Sequence, residues 1–173
     1  MIVYQKSFDL YHTVYRMIKL LAHFKEDGVI EIDRLRIWDY YLLYPNKMQE
    51  IKLKREEKDV KTIIKQFITR PENSYEKVMN DRKVFEKIKP YQMTAIKCLA
   101  SYGIINKNYL NNNKITSISK EIFDKYSDDF KTLSVQEENT IKLLTSHFYN
   151  MPLVGVNGLK SKTQLLESKY DAQ

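Results

Sequence analysis

The residues with the chemistry to act as ligands, nucleophiles or acids are few, and their spacing argues against catalysis. The three histidines are His12, His23 and His147. His12 and His23 stand about three helical turns apart, on roughly one face of a single helix, but no carboxylate accompanies them at metal-ligand spacing. Cys98 is the only cysteine, which excludes an internal disulfide and a multi-cysteine zinc cage. It lies in the apolar run Ala95-Ile96-Lys97-Cys98-Leu99-Ala100, where a buried, inert thiol is expected rather than a nucleophile. Glu121, Asp124, Asp128 and Asp129 have the oxygens for a divalent ion, although their spacing is better read as a solvated helix face. The chain has neither a phosphate-cradling Gly-x-x-x-x-Gly-Lys-Ser/Thr loop nor a Gly-x-Gly-x-x-Gly turn, and no Gly-x-Ser-x-Gly elbow. No cofactor is implied, and an enzyme is not expected.

The strongest chemical pattern is basic. Lys52, Lys54, Arg55, Lys58, Lys61 and Lys65 fall within fourteen residues, and Lys54, Lys58, Lys61 and Lys65 follow i, i+4, i+7, i+11 spacing. Such a row suits a phosphate backbone, an acidic protein face, or plain solubility. The net charge of +7, from 29 basic and 22 acidic residues, permits all three.

These residues need elements to position them, and the composition favours helices. Four glycines and four prolines in 173 residues leave little for tight turns. With 43% apolar and 29% charged residues the chain can bury a core. It has no apolar run long enough to span a bilayer. The opening Met1-Ile2-Val3-Tyr4-Gln5-Lys6 lacks the basic-then-apolar pattern of a leader, so a cytoplasmic protein with no membrane partner is expected. Apolar spacing predicts a helix over 8–24 capped by Ser7, and a second over 32–44 stopped by Pro45. Further helical pattern runs over 46–67, interrupted by the charged stretch 52–59, and over 75–89. Pro90 is expected to open the next helix, ending at Tyr102 with Gly103 as its C′ residue. Between Ile104 and Ile118 the run Asn111-Asn112-Asn113 separates two β-prone stretches and predicts a β-hairpin. Helix, glycine, apolar exit and hairpin together have the shape of a winged-helix element, with Lys114 as a basic residue on its wing. Ser119 is expected to cap a helix to about 130, and Ser134-Val135-Gln136-Glu137 forms a capping box for another to about 149. Past Pro152, Gly155 and Asn157-Gly158 predict an ordered loop with special backbone geometry. The expected fold is mainly α with minor β: one domain with a sub-boundary near 70–74, a helical part over 1–70, a winged-helix-like part over 74–150 and a C-terminal loop over 151–173.

The stretch Ile32-Asp33-Arg34-Leu35-Arg36-Ile37-Trp38-Asp39-Tyr40-Tyr41-Leu42-Leu43-Tyr44-Pro45 resembles the aromatic helix, ended by proline, of the middle component of bacterial ABC-three-component systems. The opening Phe8-Asp9-Leu10-Tyr11-His12-Thr13 is similar too. So is the end of the chain, with Pro152-Leu153-Val154-Gly155-Val156-Asn157-Gly158-Leu159-Lys160, Thr163, Leu165-Leu166-Glu167 and Tyr170-Asp171. Among such proteins the chain resembles the small subunit of Lamassu anti-phage and anti-plasmid defence complexes. The resemblance implies a non-catalytic bridge between an SMC-like coiled-coil ATPase and an effector, often a nuclease. That bridge helps restrain the effector until foreign double-stranded DNA is sensed by the assembled complex. Thirteen tyrosines and the aromatic helix suit such interfaces. On this reading Trp38, Tyr40, Tyr41 and Tyr44 are interface candidates, Asn157, Gly158, Leu159, Lys160 and Thr163 form a docking loop, and Lys54, Lys58, Lys61, Lys65 and Lys114 contact DNA or an acidic partner. The competing expectation is a free-standing winged-helix regulator that binds duplex DNA by itself.

Overall fold

The computed structural model describes residues 6–68, 80–126 and 132–167. In chain order the elements are α1 (Leu10–Leu21), β1 (Val29–Glu31), α2 (Ile32–Leu43), α3 (Lys58–Phe67), α4 (Asp81–Ser101), α5 (Lys107–Leu110), β2 (Lys114–Thr116), α6 (Lys120–Tyr126), α7 (Val135–Thr145), α8 (His147–Asn150) and α9 (Leu159–Thr163). The fold is mainly helical, with a small two-stranded antiparallel sheet. The chain divides into two compact units, each made from two separate stretches: 1–39 with 86–132, and 40–85 with 133–173. The divisions fall within α2 and within α4. The sub-boundary expected near 70–74 lies outside the described residues, as do Asp128, Asp129 and Tyr170-Asp171.

The first unit is organised by a buried polar cluster. Asp39, fully enclosed on α2, accepts two hydrogen bonds from Arg16 on α1, at 2.6 and 3.1 Å, and one from Gln92 Nε2 on α4 at 2.9 Å. Gln92 also donates to the Arg36 carbonyl and accepts from the Arg36 guanidinium. A buried carboxylate is tolerated only when its lone pairs are taken in this way. Around the cluster the apolar faces of these helices are sealed off, with Met17, Leu20, Leu21, Leu35, Trp38, Ile96 and Leu99 essentially without exposed surface. The start of α1 differs from expectation. Asp9, not Ser7, is its N-cap, accepting from the His12 amide at 2.8 Å, while Ser7 is buried in a short 3₁₀ turn before it.

The β-hairpin expected over 104–118 is not formed. Its first half folds as α5, with Asn106 as N-cap accepting from the Asn108 amide. Asn113 takes a left-handed φ of 55°, which asparagine tolerates, and turns the chain into β2. β2 then pairs with the distant β1, in the register Val29↔Thr116, Ile30↔Ile115 and Glu31↔Lys114. The asparagine run therefore caps and turns a helix instead of forming a wing tip. Gly28 allows the tight turn that leads into β1, because a Cβ there would stand 2.6 Å from the Lys25 carbonyl oxygen.

Pro90 does not open a helix. It sits inside α4, which runs unbroken from Asp81 to Ser101. The bond that Pro90 cannot donate would have gone to the Glu86 carbonyl. Both residues lie on the exposed side of the helix, where solvent can hydrate that carbonyl. The end of α4 follows the sequence signal. Gly103 has φ +69°, its amide bonds the Ala100 carbonyl and that of Ile104 the Leu99 carbonyl, a Schellman closure.

In the second unit the stretch after α2 is a 3₁₀ turn over Pro45–Glu50, a second over Arg55–Glu57, and then α3. Tyr40 packs its ring edge-on against Phe85 at 5.9 Å and lies 5.2 Å from Tyr44. Burial, followed by the Asp81 charge, pushes the Tyr40 and Tyr41 hydroxyls well above the usual tyrosine range, so both remain protonated. The capping box at Ser134 forms as read: its hydroxyl accepts from the Glu137 amide at 3.2 Å and Glu137 accepts from the Ser134 amide at 2.9 Å. The helix it opens ends at Thr145, and after Ser146 the chain resumes as α8.

Candidate functional site

The features that project from the second unit converge on the segment after α8. Met151 is extended and buried, and Pro152 prevents the helix from continuing. The chain then makes a tight loop whose base is closed by three backbone hydrogen bonds: Leu159 N–H to the Pro152 carbonyl (2.8 Å), Lys160 N–H to Leu153 (3.0 Å) and Gly158 N–H to Gly155 (3.0 Å). Two glycines make this path available for different reasons. Gly155 has φ +88°, a left-handed conformation that side chains resist. Gly158 is packed so closely that a Cβ would stand 2.3 Å from the Val154 carbonyl oxygen. Leu159 anchors the far side in the interior as α9 begins. The result is a stiff loop with an apolar tip: Val154 is 40% and Val156 83% exposed.

An ionic clamp on Glu57 fastens this segment to the chain around the second 3₁₀ turn. Glu57 Oε2 accepts from the Lys54 amide at 2.7 Å and from the buried Lys162 ammonium of α9, and Oε1 lies 3.4 Å from His147 Nε2. The Lys52 amide adds a bond to the Lys162 carbonyl at 3.1 Å. Burial alone would push the pKa of the Glu57 carboxyl up. The Lys162 and Lys54 hydrogen bonds, with the Lys162 charge and the nearby His147, outweigh it and hold the group below the usual carboxylate value. Beside the clamp lies an open cleft of about 330 Å³, lined by Lys54, Glu57, His147, Asn150, Asn157 and Lys162 among others. Both oxygens of Glu57 are engaged and Lys162 is paired, so these two groups hold the segment in place. Among the described residues no three His, Cys, Asp or Glu side chains gather where a metal ion could be held.

The residues singled out in the sequence fall into four places. Trp38, Tyr40 and Tyr41 are interior: Trp38 meets Phe24 edge-on at 5.9 Å, and none of the three presents an outward face in this conformation. Their aromatic character goes into the chain's own packing. Tyr44 is half-buried. Gly158 and Leu159 are buried supports of the loop, Asn157 is exposed, Lys160 and Thr163 are half-buried, and the Thr163 hydroxyl bonds back to the Leu159 carbonyl at 2.8 Å. Lys58, Lys61 and Lys65 are exposed on α3, but Lys54 precedes that helix and lines the cleft with Asn157, so the expected four-lysine row is a row of three. Lys114 sits opposite Glu31 in the sheet, whose carboxylate its charge helps to stabilise. Cys98 is half-buried on α4. The sequence reading missed Glu57, His147 and Lys162, whose association spans up to 105 positions. It also passed over the one local sign of the tip, two valines flanking Gly155.

No helix among the described residues is long and apolar enough to cross a membrane. A family model described as ABC-three component (ABC-3C) system Middle Component 5 matches residues 2–171. No curated protein and no solved structure matches the chain.

Proposed function

We propose that this chain, which belongs to the middle component 5 family of ABC-three-component systems, is a non-catalytic bridging subunit that docks through its C-terminal loop. A middle component works with the other components of its system. On our reading these are an SMC-like coiled-coil ATPase and an effector of nuclease type, arranged as in Lamassu-type defence complexes. The bridge holds the effector silent until the ATPase engages foreign DNA.

The observation that carries this reading is the loop over 152–158. Val156, 83% exposed, and Val154, 40% exposed, stand two residues apart at the tip of a loop with a closed base and offer a small apolar contact to a partner. Gly155, Gly158 and the Glu57 clamp hold that tip ready-made, so little ordering entropy is lost on docking.

The test is a tagged pull-down from cells carrying the native neighbouring genes, with the co-purifying masses read out. Recovery of a large coiled-coil ATPase and a second, effector-like chain supports the bridge. Loss of one of them from a Val154→Asp/Val156→Asp variant of unchanged stability assigns the loop to that partner. Recovery of the chain alone, as monomer or dimer on DNA, overturns the reading in favour of a free-standing regulator.

A further inference from the structure

The exposed flank of α3 has no part in the docking loop. α3 lies against its unit through Ile64 and the following Ile68, both almost wholly enclosed. With about 100° of rotation per residue, Lys58, Lys61 and Lys65 fall together on one flank of that buried line. All three are exposed, and among the described residues none is engaged in an ion pair. Neighbouring ammonium stems on such a row start about 5–6 Å apart. Asp59, the only acid within α3, is turned about 100° away from Lys58. Lys52 and Arg55, exposed on the approach to the helix, add charge of the same sign.

We infer that the Lys58–Lys61–Lys65 flank of α3 is a phosphate-tracking surface for the backbone of duplex DNA. Lysine ammoniums are point charges on flexible stems, suited to phosphates and poor at the planar, two-pronged recognition of carboxylates. Protein interfaces are depleted in lysine and centre on apolar or aromatic anchors, whereas this flank carries no apolar side chain between its lysines. Surfaces that meet nucleic acid are the more strongly positive kind. The chain's net charge of +7 adds a long-range pull on a polyanion. Contact of this type reads no sequence and fixes only position along the duplex. It is independent of which components the C-terminal loop meets.

The test measures binding of the full chain to a labelled random-sequence duplex over a series of salt concentrations. Non-specific binding of about 10⁻⁴–10⁻⁶ M is expected. In Lys58→Gln/Lys61→Gln/Lys65→Gln the log–log salt slope should shrink by about 2.7 and affinity at low salt should fall at least about tenfold. In Lys87→Gln/Lys89→Gln/Lys97→Gln, which removes three exposed charges from α4, both should stay near wild type. Circular dichroism checks that each variant folds, and Lys61→Glu alone, with a smaller loss in the same direction, serves if the triple variant does not. Equal losses in both triple variants overturn the inference, since binding would then follow net charge alone. Absence of duplex binding by the wild-type chain overturns it too, as does tighter binding to polyglutamate than to duplex at matched salt, which would make the flank an acidic-protein surface.

Discussion

Arg16 holds Asp39 with two arms of its guanidinium: Nε stands 2.6 Å from Oδ1 and Nη2 3.1 Å from Oδ2, between residues 23 positions apart. The pair explains why a buried aspartate stands between Trp38 and Tyr40. Removing one partner of a buried pair leaves an uncompensated charge. Asp39→Ala should therefore cost about 3–5 kcal/mol, read as a lower urea midpoint at unchanged slope. Asp39→Asn, which retains an acceptor, should cost less.

The Glu57 clamp makes stability depend on acid. Its carboxyl is held below the ordinary 4.5 in the folded chain by Lys162, the Lys54 amide and His147. A depressed acid contributes stability that is fully present above the unfolded value and is lost as pH falls through the folded one. The difference in melting temperature between wild type and Glu57→Gln should be constant above about pH 5 and should shrink below pH 4.5. A difference that grows on acidification would show that Glu57 is not the stabilised anion.

Gly158→Ala should open the loop without unfolding the unit. The added methyl group would meet the Val154 carbonyl oxygen at 2.3 Å, an overpacking cost of about 1–3 kcal/mol. Hydrogen exchange at the Leu159 and Lys160 amides, which close the loop base, should accelerate. Gly155→Ala has open space around the Cβ and carries only the left-handed backbone cost of about 1–2 kcal/mol, so its effect should be smaller.

Val156→Lys should leave stability within about 0.5 kcal/mol, since the side chain touches little in the isolated chain. It should nevertheless weaken capture of a system component in pull-downs. Unchanged capture would remove Val156 from the docking surface.

What the sequence disclosed was whatever a few neighbouring residues decide. The Ser134 capping box, the Gly103 helix end, the stop before Pro45 and the glycine-dependent loop after Pro152 are all governed by contacts within about seven positions, and all are readable. The errors came where distant residues decide. Asn111–Asn113 looked like a hairpin tip because turn chemistry is the same whether the next strand pairs nearby or with Val29–Glu31. Pro90 looked like a helix start because its tolerance inside α4 depends on which side of the helix faces solvent. The depth of the aromatic helix is not legible either, because a helix packed inside its own chain and one that meets a partner share a composition. The Glu57 clamp joins three segments and left no local trace.

The interleaving of the two units sets a condition on synthesis. The first draws on residues after 86 and the second on residues after 133, so neither is complete while the first half of the chain is emerging. Domains made from one continuous stretch can fold as they leave the ribosome. Here Arg16 of α1 and Asp39 of α2 must wait for Gln92 of α4, and Glu57 for Lys162 of α9. The nascent chain is therefore a natural client for chaperones, and shortening it from its C-terminus should yield aggregates instead of a smaller folded protein.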